Sequence, residues 1–443
     1  MESHLSSTPS ITKTIREVFG YITRFKDQVF ILKIDDDLLE TPLFPLLIKD
    51  IVLIKNMGIK IILVPGAKRS IDQVLETYGE PTPSHNHIRI TSDASLPLVK
   101  LGASNVANKL LTLLSENGAH GVSGNWVKAR GIGVIDGLDY QNTGRVESIK
   151  LSVINGLLNN DLIPIASNIG WSTAGKPYNI SSNELAVILA KTIGASKLFF
   201  ISTRKGIPAI ENCRVTNLGV RDTGVFRTLE IGQAEQLLSY HEKQLDNDVK
   251  ELIGFGLEAC SAGVNRVHII DGTQDGILLE EIFSSTGCGT MLHANIYANI
   301  RRAKTEDIPG MLHIMQPYVA NGTLIQRTSR DISDKLDSYY VYRVDESLHG
   351  CGALTFYSRQ SAEIESVIVD AQFSGLGTGK KIVSFLLEKA RRKNIKKVFV
   401  LTTQSGDFFM NIGFKESSID VLPPEKKAAY NDDRSSKVLT IEL

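Results

Sequence analysis

A chain of 443 residues exceeds one ordinary core and predicts two or three domains, and 42% hydrophobic with 22% charged residues is the profile of a globular chain rather than a disordered, collagenous or membrane-spanning one. Lys plus Arg (49) equals Asp plus Glu (49), so no basic excess points to nucleic acid or an acidic membrane surface as partner. Cys213, Cys260, Cys288 and Cys351 show no C-x-x-C spacing, which argues against a zinc site and a disulfide framework and fits a reducing cytoplasm; no metal is expected.

Met1 to Thr14 lacks the apolar stretch of a secretory signal, and no later run approaches the roughly 18 apolar residues a spanning helix needs. From Thr14 to Phe25, Ile15, Val18, Phe19 and Ile22 fall at i, i+3, i+4 and i+7, predicting a short amphipathic helix. Val29–Ile34, Lys60–Val64, Leu162–Ala166, Lys197–Ile201 and Arg266–Ile270 then read as buried parallel strands. Helical periodicity at Leu43–Met57, Leu96–Glu116, Ser148–Asn159 and Glu184–Ile193 alternates with them, which predicts βαβ units and a sheet with helices on both faces.

This pattern stops at Met291. Leu292 to Asn299 is a linker candidate, so the first domain is expected over 1–293, a linker over 294–299 and a second domain over 300–443. The second domain reads as two helices, strands at Tyr339–Val344, Gly352–Tyr357 and Ile364–Val369, a helix over Lys380–Lys393, a strand over Lys397–Thr402, a short helix near Asp407–Asn411 and final strands. That is an α+β or α/β unit around a mixed sheet.

The strongest motif runs from Val367-Ile368-Val369 through Ser374-Gly375-Leu376-Gly377-Thr378-Gly379-Lys380 into the helix carrying Ile382, Val383, Leu386 and Leu387. A strand, a glycine turn and a helix N-terminus aim unpaired N–H groups at one point, which suits a phosphate. A lone G-x-G-x-G also serves as a plain turn, so this pattern alone leaves both readings open. No Gly-Lys-Ser/Thr follows, so it is not a Walker loop.

This run resembles the acetyl-CoA-binding strand, turn and helix of the GNAT acetyltransferases. Two registers fit: Ser374 to Gly379 keeps the distance to the helix but puts Ser where Arg or Gln is usual, whereas a start at Gln372 keeps that residue and shifts the helix. The Ser374 register is preferred, because backbone N–H groups do most of the holding. Further on, Leu401-Thr402-Thr403-Gln404-Ser405-Gly406-Asp407-Phe408-Phe409, Leu422-Pro423-Pro424-Glu425-Lys426-Lys427, Tyr430 and Arg434-Ser435-Ser436-Lys437 resemble the bacterial N-acetylglutamate synthase family.

The resemblance implies acetyl transfer from acetyl-CoA, a co-substrate and not a resident cofactor, to the α-amine of L-glutamate, the first step of arginine biosynthesis. It implies Glu363 as general base, backbone N–H groups of Val367, Ile368 and Val369 on the thioester carbonyl, and Thr402 serving the leaving thiolate by a hydrogen bond or through water. Arg327, Arg434 and Ser436 would bind glutamate. Two cations suit a dicarboxylate, and the guanidinium fork pairs both oxygens of one carboxylate. Read alone, each arginine is more often a surface ion pair.

Residues from about Thr14 to Met291 resemble the amino-acid kinase family through Ile31-Leu32-Lys33, Val64-Pro65-Gly66, Ile88-Arg89-Ile90-Thr91, Tyr178-Asn179-Ile180 and Val267-His268-Ile269-Ile270-Asp271-Gly272. Asp35-Asp36 replace a phosphate-cradling Gly-Gly, and Asn183 and Leu252 stand where a catalytic Asp and Lys are usual, which argues against phosphoryl transfer. The segment His268 to Thr290 resembles an arginine-binding region, with Glu281 expected to meet the cation, His268 beside it and N–H groups near Gly287 to meet the carboxylate. The fold class expected is therefore an amino-acid-kinase-like αβα sandwich followed by a GNAT-type α+β acetyltransferase domain. The expected partners are L-glutamate, acetyl-CoA, L-arginine as effector and further copies of the chain, a hexamer by resemblance, in the cytoplasm. Two alternatives stay open at this point: another amine acceptor, or an arginine-binding regulator without catalysis.

Overall fold

The computed structural model describes residues 19, 22, 25–216, 218–284, 287–294, 300–344, 347–358, 360–371, 377–428, 430 and 436–443. The chain divides into two compact units, Met1–Ala294 and Asn295–Leu443. Most of the expected helix over Thr14–Phe25 lies outside the described residues. Among them, Phe19, Ile22 and Phe25 are helical.

The first unit runs β1 (Val29–Ile34), α1 (Phe44–Asn56), β2 (Lys60–Pro65), α2 (Lys68–Thr77), α3 (Leu96–Glu116), β3 (Gly121–Ser123), β4 (Val127–Gly131), β5 (Gly144–Ile149), α4 (Leu151–Asn159), β6 (Ile163–Ile165), β7 (Ile169–Trp171), β8 (Pro177–Asn179), α5 (Ser182–Ile193), β9 (Lys197–Ser202), β10 (Thr228–Glu230), α6 (Ile231–His241), α7 (Asn247–Ser261), β11 (Arg266–Asp271), α8 (Ile277–Phe283) and β12 (Thr290–His293). Its main sheet has the order β10-β12-β11-β9-β1-β2-β6-β3, parallel except where β12 runs against β11.

Alternate residues of each central strand feed opposite cores, as the two-residue period requires. Leu32, Leu63, Phe199 and Ile201 pack with α1, α2, α3 and α8, whereas Ile31, Ile62, Val64, Leu198 and Phe200 pack with α4, α5, α6 and α7. This is an αβα sandwich. Each such fully buried side chain contributes about 1.5–3 kcal/mol. Helix ends are set locally: the Ser181 hydroxyl accepts the Glu184 N–H at 3.3 Å at the start of α5, and Gly194 at φ +67° ends it.

Two expectations need correction. The helix expected over Ser148–Asn159 begins at Leu151, because Ser148 and Ile149 pair with Lys128 and Val127 of β4. The linker candidate loses Leu292 and His293 to β12, where they oppose Val267 and Arg266. A second sheet, β8-β7-β4-β5, was not foreseen.

The second unit runs β13 (Ile300–Arg302), α9 (Ile308–Ala320), α10 (Ser329–Asp334), β14 (Tyr339–Val344), β15 (Ser347–Phe356), β16 (Ser361–Val369), α11 (Thr378–Arg392), β17 (Lys397–Thr402), α12 (Gly406–Met410), β18 (Lys415–Ser417), α13 (Pro424–Ala428) and β19 (Lys437–Glu442). The sheet order is β13-β14-β15-β16-β17-β19-β18. On one face Ile382, Val383, Leu386, Leu387 and Ala390 of α11 pack on Leu354, Ile364 and Val400; on the other, Met311, Ile314 and Met315 of α9 pack on Val341, Ala353 and Ile368.

β16 and β17 are parallel but pair only from Ser361–Lys397 to Glu363–Phe399. Beyond Glu363 the two strands part. A register shift against β15 and Ser366 at φ +53° mark the bend, as bulges do. The sheet thus contains a gap that opens at its middle.

Candidate active site

The gap is the mouth of a cavity of about 240 Å³ whose lining includes Val367 and Ile368 from one strand and Leu401 and Thr402 from the other. Arg327, Glu363, Lys426, Tyr430 and Ser436 also line it. Sequence-derived candidates from four stretches of chain (Arg327, Glu363 with the 367–368 edge of the same strand, Thr402 and Ser436) therefore meet at one crevice. Ser374, Gly375, Leu376 and Arg434 lie outside the described residues.

Glu363 is the third residue of β16 and only 2% exposed. Its Oε2 accepts the Tyr357 hydroxyl at 2.8 Å, and its Oε1 pairs with Lys426 Nζ at 2.8 Å. Burial raises its carboxyl above the ordinary value and the charge of Glu365 adds to this, while Lys426 and the Tyr357 hydrogen bond act in the opposite direction. A carboxylate with raised proton affinity suits a general base. Burial and Glu363 also push the Tyr357 hydroxyl up, so it stays a donor.

Glu365 follows two residues on. It accepts from Thr355 at 3.0 Å and from Arg327 Nη2 at 2.9 Å, so Arg327 enters the site already paired on one side. The Nε of Arg327 is buried without a partner among the described residues. Thr402 ends β17, where its hydroxyl oxygen accepts the Ser405 N–H at 2.9 Å and leaves its own proton available to donate. The Tyr430 hydroxyl donates to the Ser436 carbonyl at 2.6 Å. The Tyr318 hydroxyl donates to the Val369 carbonyl at 2.7 Å. Gly377, at φ +73°, caps α11, whose first turn contains Thr378, Gly379 and Lys380. Sequence reasoning assigned no role to Tyr357, Lys426 or Glu365; Glu365 carried a signal in its same-face spacing from Glu363, and Lys426 in standing within the Leu422–Lys427 run that carries the resemblance.

In the first unit Lys33 is paired by Asp35, and Asp36, 5% exposed, accepts the Ser70 N–H at 2.7 Å in the first turn of α2. The chain's own carboxylates thus occupy a lysine and a helix N-terminus. Asn183 has a buried Oδ1 without a partner among the described residues, and Leu252 packs against apolar core.

His268, Glu281 and Gly287 come together at the α8 end of the sheet. Glu281 Oε1 meets His268 Nδ1 at 2.6 Å, and Oε2 accepts the N–H groups of Cys288 at 2.6 Å and Gly289 at 3.1 Å. Burial alone would raise this carboxyl, but the His268 bond and charge and the two N–H groups hold it well below the usual range. Both oxygens are thus engaged within the chain, and Arg221 donates to the carbonyls of Gly289 and Gly287 at 2.8 and 2.9 Å. A side chain at Gly287, φ +60°, would lie 2.8 Å from Glu281 Oε2. Among the described residues no group of three His, Cys, Asp or Glu is placed to hold a metal ion, and no helix is long and apolar enough to cross a membrane.

The two units define an amino-acid-kinase-like sandwich joined to an acetyltransferase: residues 28–271 match the amino acid kinase family and 310–414 the acetyltransferase (GNAT) family. The chain is 30% identical to an amino-acid acetyltransferase of Actinobacillus pleuropneumoniae serotype 7 over 98% of both chains, and 31% identical to that of Pasteurella multocida over 96% of both. It superposes on a crystal structure of N-acetylglutamate synthase from Neisseria gonorrhoeae complexed with coenzyme A and L-arginine, with TM-score 0.81, 27% identity and coverage of 98% of this chain and 99% of that one. A second structure, of the same synthase with coenzyme A and N-acetyl-glutamate, gives TM-score 0.62 at 28% identity and the same coverage. The chain belongs to the amino-acid acetyltransferase family and is an acyltransferase.

Proposed function

We propose that the protein transfers the acetyl group of acetyl-CoA to the α-amine of L-glutamate, giving N-acetyl-L-glutamate and CoA. The observation that carries this reading is the convergence of Glu363, Thr402, Arg327 and Ser436 on the gap between β16 and β17. The amine nitrogen attacks the thioester carbonyl as Glu363 takes its proton. N–H groups of the 367–369 edge hold the oxyanion. The carbon–sulfur bond then breaks, and the thiolate is met by the Thr402 hydroxyl directly or through water. Arg327, Arg434 and Ser436 seat the two carboxylates of the acceptor, and the turn from Ser374 to Lys380 takes the pyrophosphate.

The first unit is read as a regulator that binds L-arginine around His268, Glu281 and Gly287, with no kinase activity. The arginine-bound structure of the N. gonorrhoeae synthase supports this. Glu281 serves that seat by holding the 287–289 loop in place. The chain is further proposed to work in the cytoplasm as a homo-oligomer, a hexamer by resemblance, with the N-terminal segment and first unit joining the copies.

Thiol release from acetyl-CoA, measured with each amino acid and with or without arginine, tests the reading. Glutamate should far exceed aspartate, glutamine, lysine and ornithine. Equal rates with glutamine would remove the case for reading two carboxylates.

A further inference from the structure

Glu363 is gripped at both oxygens before any substrate arrives. Lys426 Nζ and the Tyr357 hydroxyl each stand 2.8 Å from it, one per oxygen, around a side chain almost sealed from water. A carboxylate so dry tends to discharge itself by taking up a proton. Glu365, two residues along the same strand, pushes in the same direction, and Arg327 and Thr355 bond to Glu365. Among the described residues, the other charged or titratable groups on this side include Glu425, which bears on Tyr357, Tyr430, whose hydroxyl is bonded to the Ser436 carbonyl, Tyr339, on which Glu365 bears, and Tyr318, which lines the cavity. Among the described residues, Lys426 is the cation in contact with Glu363. It lies on α13, in the same C-terminal stretch as Tyr430 and Ser436.

We propose that Lys426 and Tyr357 are positioning residues for acetyl transfer: they clamp Glu363 as an anion beside the crevice, and Lys426 ties that anion to the segment that seats the acceptor. The inference rests on Glu363 being the base assigned above. Lys426 and Tyr357 keep their protons throughout. The amine proton goes to a lone pair left on the Glu363 carboxylate, the N–C bond forms and the C–S bond breaks. Because the clamp joins α13 to β16, acceptor binding and readiness of the base depend on one ion pair.

The test is the pH dependence of kcat at saturating substrates, which reports groups in the bound complex. It uses the full-length protein and four variants: Lys426→Met, Lys426→Arg, Tyr357→Phe and Glu365→Gln. Losing an opposite charge at this distance should move the acid limb of Lys426→Met upward by about 1–3 pH units. Turnover then falls at pH values below the raised limb and largely returns above it. Lys426→Arg should restore the wild-type limb, Tyr357→Phe should move it upward by less, and Glu365→Gln should move it downward. KM for acetyl-CoA should stay put. A fall by one factor at every pH, or an unmoved limb in both Lys426→Met and Tyr357→Phe, overturns the clamp; if Lys426→Met does not fold, the opposite shifts of Tyr357→Phe and Glu365→Gln decide it. Glu363→Gln separates the two claims. Full activity in that variant removes the base assignment itself, whereas an inactive variant with unmoved limbs elsewhere removes only the clamp.

Discussion

Arg327 reaches the crevice with Nη2 on Glu365 and a buried Nε that has no partner among the described residues. An unpaired buried N–H costs about 1–3 kcal/mol, and an incoming carboxylate would relieve it. Arg327→Ala should therefore raise KM for glutamate at least about tenfold, from the loss of about 1.5–3 kcal/mol of charge-assisted bonding, while KM for acetyl-CoA stays unchanged. Steady-state kinetics in both substrates checks this; a change confined to acetyl-CoA would point elsewhere. The family resemblance pointed to Glu363, Thr402, Arg327 and Ser436. It gave no role to Lys426, although its Leu422–Lys427 run helps carry the resemblance, nor to Tyr357, whose role exists only because a hairpin folds it back onto Glu363. The partner of a buried charge is a fact of tertiary structure. Glu365 could have been found, since residues two apart on a strand share a face.

At the scale of elements, the long buried strands and helices of the first unit were legible because burial on both faces leaves β-rich runs and helical periods in the sequence. The four-stranded side sheet was not. Its strands are short and half-exposed, with Lys, Arg and Gly among them, and their pairings, such as Trp171 with Lys128, join distant segments. The pairing of Lys33 by Asp35 and the seating of Asp36 on the first turn of α2 place carboxylates where nucleotide phosphates would need cations and free N–H groups. ATP should neither bind tightly nor support phosphorylation of N-acetylglutamate, as titration calorimetry and a phosphate-release assay would register. Around α8, the depressed Glu281 carboxyl stabilises the fold above the ordinary carboxylate value of about 4.5, and this contribution is lost as pH falls through the lower folded value. The first unit of the wild type should lose stability over that acid window. In Glu281→Gln, whose side chain does not titrate, the same window should be flatter in thermal unfolding followed against pH.

For the whole molecule, arginine and the acetyl-transfer substrates should be linked. If arginine weakens glutamate or acetyl-CoA binding by some factor, that ligand must weaken arginine binding equally, and such couplings are typically about 1–3 kcal/mol. Calorimetric titration of arginine with and without glutamate measures this. Glu281→Ala, which releases the 287–289 loop, should abolish the response and leave basal turnover near wild type. An arginine effect that survives in that variant would make the first unit a scaffold instead.

The parting of β16 from β17 leaves stretches of strand without a β neighbour in the interior of a sheet. Exposed strand edges recruit other chains and seed aggregation, and proteins commonly blunt them with charge, proline or a covering loop. Here the vacancy is closed at one end where Glu363 meets Phe399, and Phe409 and Tyr430 line it. The side chains that make this gap a cavity thus also cover strand edge that would otherwise be open.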